Sequence, residues 1–174
     1  MPDALTPPLG ADDHVDGPPD APLALVMYGD FQCPYCSAAQ PILRRVRDRL
    51  GDRLRFAFRH LPLTTAHPDA QRAAEAAESA AAQGAFWPMH DALYAQRGRL
   101  RLDDVLQAAR EAGVDPDRVR ADLESGVWAT RVAGDADSAR ASGVAGTPGF
   151  FATGVRVEGS FDAQSLIAAL ESGE

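Results

Sequence analysis

Residues 23–36 read Leu-Ala-Leu-Val-Met-Tyr-Gly-Asp-Phe-Gln-Cys-Pro-Tyr-Cys. Leu23 to Tyr28 is a continuous apolar run of strand length, the pattern of a strand buried on both faces. Cys33 opens a helical stretch in which Ile42, Leu43, Val46 and Leu50 recur at helical spacing, with Gly51 as the stop. Arg44, Arg45, Arg47 and Arg49 lie toward its end, where cations complement the helix dipole. Pro41 falls inside this helix and predicts a kink. Residues 54–59, Leu-Arg-Phe-Ala-Phe-Arg, alternate with period two and read as a second strand. Strand, helix and strand in this order form a βαβ unit, so the two strands are expected to be parallel.

Downstream the pattern changes. Residues 66–143 carry no convincing strand and divide into helical stretches: Ala-rich 69–82 ending at Gly84, then an apolar face of Phe86, Trp87, Met89, Leu93 and Tyr94. Leu102 to Ala112 and Pro116 to Leu123 follow, with Asp115 a suitable N-cap before Pro116. Val127 to Ala141 is helical in pattern, diluted by Gly134. Phe150 to Ala152 and Val155 to Val157 then flank a Thr153-Gly154 turn, and Asp162 can cap a last helix bearing Leu166, Ile167 and Leu170. The expected class is α/β, a central mixed sheet flanked by helices with an inserted all-helical subdomain. Residues 21–65 form its first half, 66–143 the insertion and 144–174 the second half. Residues 1–20 lack apolar periodicity and are expected to be a flexible lead-in.

Composition narrows the function. The 174 residues include 17 basic side chains, all Arg, against 25 acidic ones, for a net charge of -8. That balance disfavours nucleic acid and anionic membranes as partners. At 45% hydrophobic and 24% charged, this is globular material, with no apolar run of membrane-spanning length. The first twenty residues lack a basic region followed by an apolar one, so the cytoplasm is the expected compartment. A truncated or artificial start would make it the periplasm or another extracytoplasmic space. The sequence leaves the oligomeric state open.

Cys33 and Cys36 are the only cysteines. Placed after a buried strand and opening a helix, Cys33 would sit at the N-cap, where unpaired N–H groups and the helix dipole stabilise a thiolate. Pro34 suits the first helical position. Cys36, three residues on, shares the helix face within disulfide reach. Cys33 is then the exposed nucleophile and Cys36 the resolving thiol. Other readings of such a pair are incidental buried thiols, half of a zinc site, or a static disulfide. His14, His60, His67 and His90 show no ligand spacing near the pair.

The order of elements, Cys33-Pro34-Tyr35-Cys36, and Gly146-Thr147-Pro148 before the hairpin resemble the thioredoxin superfamily. The helical insertion, Tyr28-Gly29-Asp30-Phe31-Gln32 ahead of the pair, and Phe86-Trp87 followed by His90-Asp91 resemble its DsbA-like thiol:disulfide oxidoreductases. The resemblance covers roughly residues 12–172. It implies a thioredoxin-like fold, catalysis by Cys33 and Cys36 supported by Pro34 and Tyr35, and a cis Pro148 facing the pair. It also implies that Thr147 presents its backbone to a bound peptide. No cofactor is implied beyond the redox-active Cys33–Cys36 pair, and no metal. The implied partners are protein thiols and disulfides, with glutathione or another redox partner for recycling.

Two departures stand out. The family keeps a buried acid six residues before the first Cys, where this chain has Met27. Asp30 is nearer the pair and reads either as a loop or cap residue, or as a water-mediated aid to proton transfer. Pro34-Tyr35 resembles the glutaredoxin dipeptide, which keeps a glutathione-linked reductase as one rival; a non-enzymatic redox-sensing or metal-holding module is another. Phe31 and Tyr35 are candidates for an apolar rim that receives substrate. Phe86, Trp87, Leu93 and Tyr94 are expected in the core of the insert, and His60 and His90 as structural residues.

Overall fold

The computed structural model describes residues 3–159 and 161–173. Its five strands are β1 (His14–Asp16), β2 (Leu23–Gly29), β3 (Leu54–His60), β4 (Gly149–Ala152) and β5 (Val155–Val157). They form one sheet in the order β1-β3-β2-β4-β5. β2 and β3 are parallel, joined through α1 (Pro34–Leu50), and every other pairing is antiparallel. The order β-α-β, helices, β-β-α read from the sequence is therefore present, with one further strand at the edge.

Alternation along β2 explains its unbroken apolar run. Leu23, Leu25 and Met27 enter the larger core with Phe56 and Phe58, while Val26 and Tyr28 enter a second cluster with Ala57 and Phe151. The larger core takes in α1 and α7 (Ala163–Glu171). It also takes in α2 (Ala70–Ala82), α3 (Phe86–Ala95), α4 (Leu102–Glu111) and α5 (Pro116–Ser125). The inserted helices thus share the core of the sheet. α6 (Ala129–Ala141) contributes Ala139 to the second cluster. Pro41 lies on the exposed side of a continuous α1.

The flexible lead-in expected over residues 1–20 is corrected for residues 3–20, which are built onto the sheet. Leu5 is buried, its N–H bonds the Gly154 carbonyl, and Ala4 bridges Val155. The physical reason is Arg59, whose guanidinium is buried on β3 and needs an anion. Asp13 supplies one, accepting from Nε at 2.7 Å and Nη2 at 3.0 Å, and the carbonyls of Pro7 and Pro8 take further Arg59 protons. The attachment is largely polar, so a search for apolar periodicity does not register it.

Candidate active site

The end of β2 delivers a short loop whose geometry is set by Asp30. Its buried carboxylate accepts the N–H of Gln32 (2.7 Å) and of Leu63 (2.9 Å), and pairs with His67 Nδ1 at 2.7 Å. Its backbone carbonyl accepts the N–H of Cys33. Asp30 is therefore a loop organiser, the first of its two readings. Gln32 ties the same loop to the insertion, accepting the N–H of Asp69 and donating to the Gly98 carbonyl. Gly29 is required here because a side-chain carbon would lie 2.4 Å from the Phe58 ring.

Cys33 is the N-cap of α1 and Pro34 occupies the first turn. Both cysteines are free thiols. Cys33 Sγ lies 3.7 Å from the Thr147 carbonyl, and the Thr147–Pro148 peptide is cis. The Cys33 thiol is lowered to about 5. The largest cause is a hydrogen bond from the Cys36 thiol, aided by Thr147 and by the N–H groups of Tyr35 and Cys36, against the opposing effect of burial. Cys36 moves the opposite way: donating to Cys33 and being buried both push its thiol well above the ordinary range. The pair is polarised into one sulfur that ionises easily and one that holds its proton.

The expected site residues fall into two groups. Cys33, Cys36 and Thr147 come together, and Tyr35 is 67% exposed beside them, as a substrate rim requires. Phe31 does not belong to that rim. It is 1% exposed and packs against Phe58 and Tyr94, with ring centroids at 5.1 and 4.9 Å. Aromatic contacts from α3 and β3 hold it inward. Cys33 is also more covered than an exposed nucleophile would be, at 3%. His60 and His90 are buried, and Phe86, Leu93 and Tyr94 lie in the larger core.

A second polar cluster escaped the sequence reading. Glu78 on α2 accepts from His14 Nε2 (2.6 Å) and His60 Nε2 (2.9 Å), and Arg131 Nε stands 3.4 Å from its other oxygen. His14, His60 and Glu78 are close enough to share a metal ion. Two details fit an ion-paired hub better. Arg131 already neutralises the carboxylate, and the buried His60 Nδ1 has no hydrogen-bond partner among the described residues. A metal-bound imidazole normally donates from that second nitrogen. The signals available were a Glu among the alanines of α2 and a His ending a strand, neither of which names its partner.

Comparison with known proteins agrees with this geometry. The DSBA-like thioredoxin domain model matches residues 24–171. The thioredoxin-like oxidoreductase of Silicibacter pomeroyi DSS-3 superposes with a TM-score of 0.84 at 27% identity, over 94% of this chain and 93% of that one. Oxidised BdbD of Bacillus subtilis gives 0.83 at 21% identity, over 92% and 91%, a likeness of fold. A Na(+)/H(+) antiporter NhaA 1 of Salinispora arenicola is 49% identical over 160 residues, which is 92% of this chain and 24% of the antiporter. The chain thus spans about a quarter of the length of the curated relatives it matches.

Proposed function

The chain belongs to the DSBA-like thioredoxin family, and from that membership we propose that it exchanges disulfides with protein thiols through Cys33 and Cys36. The observation that carries this reading is the placement of the pair, Cys33 at the N-cap of α1 with its Sγ 3.7 Å from the Thr147 carbonyl and Cys36 buried behind it, an arrangement that lowers the first thiol and raises the second. In the oxidising direction a substrate thiolate attacks Cys33 of the Cys33–Cys36 disulfide, releasing Cys36. A second substrate thiolate then attacks the mixed disulfide, leaving substrate oxidised and the pair reduced. The reverse sequence reduces a substrate disulfide. The reading rests on the cysteine pair and assigns no ion transport to this chain.

Pro34-Tyr35, with no imidazole between the cysteines, supports an intermediate potential, roughly -130 to -230 mV. The cytoplasm is the proposed compartment, where such a pair cycles and does not staple; cell fractionation checks it. Titration of the pair against glutathione tests the main reading. A value below about -260 mV would assign a reductase. Parallel assays with a glutathionylated peptide and a reduced unfolded protein separate a glutathione-linked enzyme from a protein oxidase.

A further inference from the structure

The chain carries a net charge of -8, yet one of its cavities is walled by arginines. That cavity lies between α1 and α3 and holds about 690 Å³, the size of a small-molecule site. Arg44 and Arg47 of α1 and Arg97, just beyond α3, stand on its wall. Asp91 is the one acid among the lining residues, and its carboxylate is engaged by His90 Nδ1 at 2.8 Å. Arg47 is committed to Asp16 at 2.9 Å and lies over the Phe56 ring. Arg44 and Arg97 are exposed, and neither guanidinium has a hydrogen bond or ion pair among the described residues. Both can therefore take a carboxylate from outside, and a guanidinium does so with paired N–H bonds.

The cavity begins one helical turn from the nucleophile. Ser37 lines it, and the Ser37 N–H bonds the Cys33 carbonyl at 3.1 Å. Gln40 lines it too, and its amide points back to the pair, donating to the Cys36 carbonyl at 3.0 Å. Side chains on a helix lean toward its N-terminus, so Arg44 also reaches toward the Cys33 end. Across the cavity, Arg97 precedes Gly98, whose carbonyl accepts from the side chain of Gln32, the neighbour of Cys33. Arg97 has a φ of 54°, in the region that favours glycine, so an arginine is held there at a conformational cost. The turn from Cys33 to Ser37 rises about 6 Å, and an extended tripeptide spans about 10 Å. A ligand of that length can keep its sulfur at Cys33 and its charged ends in the cavity.

We propose that the α1–α3 cavity binds the carboxylates of a small dicarboxylate peptide thiol of the glutathione type, on Arg97 and Arg44, and so presents its sulfur to Cys33. The proposal rests on the thiol-exchange reading and deepens it by naming a recycling substrate. The Cys33 thiolate attacks the disulfide of the oxidised ligand, a bond forms from Cys33 to one ligand sulfur, and the other leaves as thiolate. Cys36 gives up its proton and attacks Cys33. The Cys33–Cys36 bond forms, the bond to the ligand breaks, and the second thiolate leaves. The pair is oxidised and the ligand disulfide is reduced to its thiols; the reverse sequence reduces the pair.

The test compares glutathione disulfide with its fully esterified form, whose carboxylates are masked, as oxidants of the full reduced chain. At low salt the acid should react about tenfold faster than the ester despite the net charge of the protein, and added salt should shrink that advantage. In the double variant Arg44→Gln, Arg97→Gln the acid-to-ester ratio should fall about tenfold. S-Methylglutathione, which cannot exchange, should compete with the acid on the unmodified chain. An acid-to-ester ratio that the double variant leaves unchanged overturns the proposal, and so does a lack of competition on the unmodified chain, whether or not the variant folds. A carboxylate preference seen only with an acidic protein disulfide overturns the assignment to a small thiol. Failure of the unmodified chain to exchange with either small disulfide or with insulin would instead sink the thiol-exchange reading.

Discussion

The mouth of α1 and the seam around β1, β3 and α2 both bury ionisable groups, but they compensate them differently. Along the seam, Arg59 meets both oxygens of Asp13, and Glu78 meets two histidines and Arg131. Every charge there has a counter-charge or donor, and the result is attachment of the lead-in and of α6. At the mouth, Cys33 faces a helix N-terminus, a thiol and a threonine, with no cation among the groups that lower it. Complete compensation gives rigidity; partial compensation leaves a sulfur that can be ionised and still attack.

The comparison breaks most sharply at the nucleophile. Cys33→Ser is expected to abolish turnover in an insulin-reduction assay while leaving the fold intact, because the seam carries the attachment. Cys36→Ser should instead retain attack and accumulate mixed disulfides, visible by non-reducing electrophoresis and mass spectrometry. Residual turnover in Cys33→Ser would move the chemistry elsewhere.

The seam should fail in the opposite sense. Glu78→Ala takes the partner from the buried His60 and the half-buried His14, while Arg131 keeps Asp135, and leaving a buried group unpaired costs about 1–3 kcal/mol. Urea denaturation should show that loss, with the rate of Cys33 alkylation in the folded fraction unchanged. A stable variant would mean that the hub is decoration.

The two regions should also separate in pH. Glu78 is held well below the ordinary carboxylate value, so its contribution is complete above its unfolded value near 4.5 and declines only as acidity increases beyond that. Cys33, lowered from 9.0 to about 5, stabilises the reduced fold increasingly from pH 5 to 9, and that gain is lost as pH falls through 5. Relative to Cys33→Ser, the urea midpoint of the reduced protein should therefore climb across that window. Its alkylation rate should rise through about pH 5 and then level off.

The smallest effect is expected at Asp30. Asn there keeps one acceptor oxygen and turns an amide N–H toward a donor, for a loss of about 1–3 kcal/mol measured by thermal melts. Resolution of the mixed disulfide near neutral pH should be nearly unchanged; a large slowing would return Asp30 to the proton path.

What could be read directly from the chain was local. The apolar run 23–28, the period-two run 54–59, Pro34 after Cys33 and Asp115 before Pro116 each declare themselves through neighbours in sequence, because propensity and capping act over a few residues. Those features determined the βαβ unit, the helical insertion and the reactive pair. Phe31 was misplaced because its neighbours across space, Phe58 and Tyr94, lie far along the chain. The same holds for Asp13 with Arg59 and for His14 with Glu78. Only tertiary structure decided which buried charges are matched and which are left reactive, since burial and pairing are set by elements that meet only when the chain has folded.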